Sequence, residues 1–422
     1  MADMRLYVCR RNRARRAAAA MKILMFGWEF PPRISGGLGT ACAGLVEGLA
    51  GCGIQLTLVL PHVTGSSCPL HDDPGEEESL CVHPPNIRLV QAQSLLRPSS
   101  PIGPYDTAWH TVYDGDRLPD PVAEVYRYGR EAALVAPSEC PDIIHIHDWL
   151  TIPAGLEATQ ATGKPLILHV HSLECDRSAD GGNAHIHALE QRGLENADRI
   201  IAVSHYTKQK IVDAHNIDPD KISVVHNAVS RPSAAYESPC RNNGMKRYVL
   251  FLGRITHQKG PMYFLEAARR VLAVAPDTHF IVAGSGDMRE EMIARAAALG
   301  IGRRVHFTGF LDNDRLDRIY RMSDVYVMPS VSEPFGLSAL EAMGHGVPVI
   351  VSRWAGVTEI MPHCLRVDYW DVEDIADKIL ALLRYAPLRS VLRSESRAAL
   401  AGVSWDKSAQ ELIAVYNRMC GT

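Results

Sequence analysis

The chain has 422 residues, 46% of them hydrophobic and 22% charged, with a formal net charge of -4. That length is long for one core and comfortable for two, and the near-neutral balance gives no reason to expect a nucleic-acid partner. No apolar run is long enough to span a bilayer, and the ten cysteines form no C-x-x-C pair, so reduced thiols and a cytoplasmic location are expected.

Residues 1–20, MADMRLYVCRRNRARRAAAA, are Arg-rich and then Ala-rich, with no apolar stretch of their own. They imitate a transit peptide or an overlong reading frame, and are expected to be a disordered extension. A short apolar strand over 23–28 follows. Gly36-Gly37-Leu38-Gly39 then leads into a helix over 40–50, and a second strand runs over 54–60. This βαβ opening is the start of a doubly wound sheet, with Gly36 and Gly37 in the loop where a phosphate would be bound. The loop is not G-x-G-x-x-G, so no dinucleotide fingerprint is present.

Residues 61–121 read as irregular, rich in Pro, His, Ser and Asp, and a stretch that long is functional or disordered. Its Tyr105, Trp109 and Tyr113 are candidates for stacking on sugars, although burial is the commoner use of such rings. From 122 the alternation becomes regular. Strands are predicted at 142–147, 166–171, 200–203 and 222–225, with helices between them, which argues for a parallel sheet. Polar residues gather at two strand ends, His145-Ile146-His147-Asp148 and His169-Val170-His171-Ser172. His-x-His pairs on a strand face one side and can bind metal, but no Cys or carboxylate completes a ligand set, so no metal is expected.

A Ser-, Pro-, Asn- and Arg-rich stretch interrupts the pattern, and 231–246 is taken as an interdomain linker. The predicted domains are 21–230 and 247–403, with a terminal helical segment over 404–422. The strand at 248–252 runs into Gly253-Arg254-Ile255-Thr256-His257-Gln258-Lys259-Gly260, and Pro261 opens the next helix. Arg254 and Lys259 leave adjacent turns of that loop. Their cations suit a diphosphate, Arg as a fork and Lys as a point charge. Further strands are predicted at 280–283, 305–307, 325–328, 347–351 and 365–367, and the 284–287 turn is read as structural.

The most informative stretch is VSEPFGLSALEAMGHGVPVIVSRWAG, residues 331–356. Pro334 pushes Glu333 into an extended loop conformation, while Glu341 falls on the second turn of the helix that starts near Leu337. Both carboxylates are expected to reach one cleft. Gly36 and Gly37 on one side, and the amides of Phe335, Gly336 and Leu337 on the other, are the expected anion-binding backbone. The pattern places a carboxylate before the helix for sugar hydroxyls, amides at its start for phosphate, and a carboxylate within it for ribose. An ordinary loop with two solvated glutamates is the plainer reading, and the full EPFGLSALEA string outweighs it.

This string resembles the E-x7-E motif of family-four retaining glycosyltransferases, and the resemblance extends over nearly all of 21–419. It implies an α/β fold of the GT-B type: two Rossmann-like, doubly wound parallel-sheet domains facing a central cleft, with the terminal helix crossing back to the first domain. It further implies that Glu333 meets the transferred sugar, Glu341 the ribose, His171 the donor sugar, and Asp148 the acceptor side. The opening 21–50 is similar to bacterial and archaeal starch and glycogen synthases. Those enzymes carry Lys-x-Gly-Gly-Leu, whereas Ile34 occupies the Lys position here with Arg33 beside it.

The expected activity is metal-independent, retaining transfer of glucose from ADP-glucose or UDP-glucose to an α-1,4-glucan. His171, Arg254, Lys259 and Glu333 carry the chemistry in this reading, and no cofactor is required. Three rival readings stand beside it: a transferase of cell-envelope glycans, a non-catalytic nucleotide-sugar binder, and a phosphorylase. The binder is disfavoured because Arg254, Lys259, Glu333 and Glu341 are all present, and the phosphorylase because no pyridoxal-lysine motif is found.

Overall fold

The computed structural model describes residues 20–31, 34, 36–61, 84–92, 121–178, 182–229 and 246–421. The expectations for residues 1–19, for Arg33, for the three aromatic residues of 105–113 and for most of the linker lie outside the described residues.

Two parallel sheets organise the chain. The first contains β1 (Lys22–Phe26), β2 (Gln55–Leu60), β3 (Ile87–Gln91), β4 (Ile143–His147), β5 (Leu166–Val170), β6 (Arg199–Ala202) and β7 (Ile222–Val224). The second contains β8 (Arg247–Leu252), β9 (Thr278–Ala283), β10 (Val305–Gly309), β11 (Val325–Met328), β12 (Val349–Ser352) and β13 (Leu365–Val367). Their orders are β3-β2-β1-β4-β5-β6-β7 and β10-β9-β8-β11-β12-β13. Each sheet reverses its winding beside its first strand, between β1 and β4 in one and between β8 and β11 in the other. That crevice, at the carboxyl ends of the strands, is where such sheets bind ligands.

The central strands are buried on both faces because helices cover both sides of the sheet. Residues Ile143–His147 and Leu166–Val170 are buried throughout. β3 was not expected from the sequence. Its residues IRLVQ lie at a sheet edge and are only half-covered, so they carry no continuous apolar run. Asn86 ties its start to the preceding turn by donating to the carbonyls of Ala50 (3.0 Å) and Ile54 (2.7 Å).

The helix Trp405–Cys420 lies against the helix Gly37–Gly51 at close range. A Cβ on Gly44 would sit 2.1 Å from Trp405 Cε2, and one on Gly48 would sit 2.6 Å from the Trp405 carbonyl oxygen. Glycine is thus what lets the indole reach the helix backbone. Trp405, Ala409, Leu412, Val415 and Tyr416 share one buried apolar cluster with β1 and β2. Among the described residues no helix is long and apolar enough to cross a membrane.

Candidate active site

The loop after β8 and the loop after β11 meet at one ion pair. Lys259 Nζ lies 2.6 Å from Glu333 Oε2, and Ser330 Oγ donates to the same oxygen at 3.0 Å. Lys259 is delivered by a short 3-10 turn, His257–Lys259, closed by Gly260 at φ 67°. A Cβ on Gly260 would lie 2.0 Å from the Pro329 carbonyl oxygen, so glycine is required both by the left-handed backbone and by the contact. The Gln258 carbonyl accepts from the Val331 N–H at 2.8 Å, which clips the two loops together. Arg254 donates to Gln258 Oε1 at 3.2 Å, and Ile255 N–H donates to the Ser285 carbonyl at 2.8 Å. The turn at 284–287 therefore supports the Arg254 loop.

Glu333 is nearly buried and its backbone is extended. It forms a parallel bridge with Ala355: Glu333 N–H donates to the Trp354 carbonyl (3.1 Å) and Gly356 N–H to the Glu333 carbonyl (3.0 Å). The carboxylate is thereby placed on a fixed piece of backbone at the sheet edge. Gly336, at φ 106°, turns the chain into the helix Leu337–Gly344. The first amides of that helix have no partner within it. Across the cleft, a Cβ on Gly37 would be 3.7 Å from Leu337 Cδ1, so the glycine loop of the first domain faces the helix start of the second. Ile34 packs over the beginning of the helix Gly37–Gly51, its Cγ2 within 2.4 Å of where a Gly39 Cβ would be.

Glu341 is in a separate polar group on the same helix. Its Oε2 accepts from the Tyr320 hydroxyl at 2.8 Å. Burial pushes its carboxyl above the usual range, and the Tyr320 hydrogen bond acts in the opposite direction. Tyr326, whose hydroxyl is 2.7 Å from Ser338 Oγ, donates to the Leu252 carbonyl at 3.3 Å. Its phenol is pushed far up by burial first, then by both carboxylates. Glu333 and Glu341 thus share a neighbourhood without touching.

In the first domain, Asp148 directly follows β4 with φ 52°, an uncommon backbone state for a residue with a side chain. It is buried, and its Oδ1 accepts from the N–H groups of His171 (2.6 Å) and Ser172 (3.4 Å). Asp148 therefore holds the backbone that presents His171. Burial pushes the His171 imidazole down to about 3, so it is neutral.

Several residues around the cleft carry no local sequence signal. Ser204 Oγ donates to the Pro334 carbonyl at 2.6 Å, joining the first domain to the turn that carries Glu333. Lys210 Nζ bridges Asp176 (2.6 Å) and Ser332 (2.9 Å), and Ser332 Oγ also donates to Asp176 at 2.6 Å. Glu359 accepts from the His205 and Tyr206 N–H groups, both at 2.8 Å, and lies 2.8 Å from His226 Nε2. The donors and acceptors of these bonds are far apart in the chain, and all but Lys210–Asp176 join the two domains, which is why no local pattern announces them.

The chain matches the family model "Glycosyltransferase Family 4" over residues 35–231 and "Glycosyl transferases group 1" over residues 236–399. It is 30% identical to an uncharacterised glycosyltransferase of Methanocaldococcus jannaschii, over 94% of this chain and 98% of that protein. It is 27% identical to a glycogen synthase of Mycobacterium tuberculosis, over 80% of each chain. Among solved structures, HepE of Anabaena in complex with UDP and glucose superposes with a TM-score of 0.70 at 16% identity. That match covers 94% of this chain and all of the other. The fold is GT-B, and the chain belongs to the family-four glycosyltransferases.

Proposed function

We propose that the protein is a retaining, metal-independent hexosyltransferase that moves glucose from ADP-glucose or UDP-glucose to an α-1,4-glucan. The observation that carries this reading is the Lys259–Glu333 pair, set on fixed backbone beside the start of the helix Leu337–Gly344. A carboxylate, an ammonium and a helix N-terminus then converge where a sugar joined to a diphosphate would bind. The similarity to a glycogen synthase and to a UDP- and glucose-bound structure supports the donor class.

The demanding step is departure of the nucleoside diphosphate, which gains negative charge as the C1–O bond breaks. Arg254, Lys259 and the amides of Phe335 to Leu337 stabilise that charge, an electrostatic contribution made by groups already in place. Glu333 and His171 orient the sugar, and Glu341 holds the ribose. Glu333 is engaged by Lys259 and Ser330, which suits a positioning carboxylate better than a covalent nucleophile. The acceptor hydroxyl attacks C1 on the face the phosphate leaves, and its proton passes to the departing phosphate oxygen. Asp148 organises the acceptor side through the His171–Ser172 backbone.

The deciding experiment incubates purified protein with ADP-, UDP- or GDP-glucose, with and without glycogen, and measures nucleotide release. Glycogen-dependent release from ADP- or UDP-glucose is expected. Donor turnover that ignores glycogen overturns the glucan assignment, and no turnover with any of the three overturns the glucosyl donor.

A further inference from the structure

Four histidines line one face of the first sheet. His145 and His147 alternate on β4 and point the same way, and His147 is in direct register with His169 on β5. His171 continues the row just past β5. The first three are 0%, 1% and 1% exposed.

Their rings are 4.7 Å apart for His145 and His147, 5.3 Å for His147 and His169, and 5.5 Å for His145 and His169. One nitrogen from each lies within 4.8 Å of the others. An ion with metal–nitrogen bonds of ~2.0–2.1 Å and tetrahedral angles holds imidazole centres about 5 Å apart. The three rings already have that spacing.

The hydrogen bonds identify which nitrogens are available. His145 Nδ1 is 2.6 Å from the Tyr416 hydroxyl, and His147 Nδ1 is 2.9 Å from His171 Nε2. Among the described residues, Nε2 of His145, Nε2 of His147 and both nitrogens of His169 are buried without a hydrogen-bond partner. Buried polar atoms in that state are uncommon and call for a reason. Burial holds all three rings far below the ordinary histidine range, in the neutral form that offers a lone pair.

We propose that His145, His147 and His169 form a tri-imidazole site for a divalent transition-metal ion of the zinc class. Ligation through Nε2 puts the proton of His145 and of His147 on Nδ1, which donates to the Tyr416 oxygen and to His171 Nε2. Metal-bound histidines are oriented by outer partners of that kind. The ion's place is structural: it ties β4 to β5 beneath the site and takes no part in the proposed glycosyl transfer. No such site was expected from the sequence, because neither His-x-His pair is a full ligand set until β4 and β5 lie side by side. Imidazole donors without thiolate suit zinc, copper or nickel rather than magnesium or calcium.

The test must separate this face from a second group, His187, Glu190 and His215. The full chain carrying His187→Ala is stripped with chelator, dialysed and titrated with Co²⁺. About one bound equivalent with visible ligand-field bands and no thiolate charge-transfer band is expected; absence of those bands overturns the proposal. The His169→Phe chain, grown with zinc and assayed by mass spectrometry of the metal, is expected to hold about one equivalent less than the unmodified chain. An unchanged zinc content in folded His169→Phe overturns the proposal. Should that variant fail to fold, the Co²⁺ spectrum of His187→Ala decides.

Discussion

Lys259 Nζ and Glu333 Oε2 are 2.6 Å apart although 74 residues separate them in the chain. Glu333 is 7% exposed and Lys259 19% exposed at the side chain, so neither charge is well solvated. Removing one partner leaves the other charge uncompensated, a loss of about 3–5 kcal/mol for fully buried pairs and less where water reaches the ammonium. Lys259→Ala is therefore expected to lower the melting temperature more than the double variant Lys259→Met/Glu333→Gln. Both should lose kcat by ~10²-fold or more, the scale of one missing transition-state donor. Calorimetric melting and nucleotide-release kinetics check this. A double variant as unstable as Lys259→Ala contradicts the account of the pair.

Glu341 and Glu333 should fail differently. Glu341→Gln keeps the side-chain shape but exchanges an acceptor for a donor opposite the Tyr320 hydroxyl and, in the proposed donor pose, opposite the ribose. Ribose is present throughout the reaction, so weaker binding of free nucleoside diphosphate is expected, by about 10-fold for one charge-assisted contact. Glu333→Gln should lower kcat and leave diphosphate affinity nearly intact. Titration calorimetry with UDP and ADP separates them, and equal losses of diphosphate affinity would refute the division of the donor between the two carboxylates.

Glu359 caps the helix His205–His215 from the other domain. Burial acts to raise its carboxyl, but the hydrogen bonds from His226 and from the His205 and Tyr206 N–H groups outweigh it and hold the carboxyl below its usual range. A depressed carboxyl stabilises the contact above the unfolded-state pKa, and the benefit disappears as pH falls through the lower folded value. Closure of the two domains should therefore weaken only in acid, below about pH 4. Glu359→Gln should show weakened closure already at neutral pH and little further acid dependence. Small-angle scattering across a pH series measures this; an acid response unchanged by the substitution counts against Glu359 as its source.

Gly44 admits the Trp405 ring, and any side chain there must displace it. Gly44→Val is expected to destabilise the chain by ~1–3 kcal/mol or more through overpacking. The same change at Gly53, where a Cβ would meet nothing within 4 Å among the described residues, carries the φ 78° strain. Chemical denaturation of both variants compares crowding with strain, and the Gly44 variant should be the less stable.

Much of this protein was legible locally. Buried parallel strands such as β11 appear as short apolar runs, and loops such as Gly253–Gly260 appear as glycine and cation punctuation between a strand and a helix. The pair Glu333 and Glu341 could be assigned to loop and helix because Pro334 restricts its neighbour whatever lies around it. β3 was missed because an edge strand buries too little to need a continuous apolar sequence.

Contacts between distant segments could not be read in this way. That Asp148 holds the His171 backbone, that Glu359 caps a helix of the other domain, and that Lys210 joins Asp176 to Ser332 all depend on which strand ends and loops become neighbours. The same holds for the histidine row, since two ordinary His-x-His pairs become one cluster only through the register of His147 with His169. Sequence determined the local conformations and the two apolar sheets, because those follow from short-range sterics and burial period. Tertiary structure decided which charges and ring nitrogens meet, because such pairing depends on separations of a few ångströms that no local rule specifies.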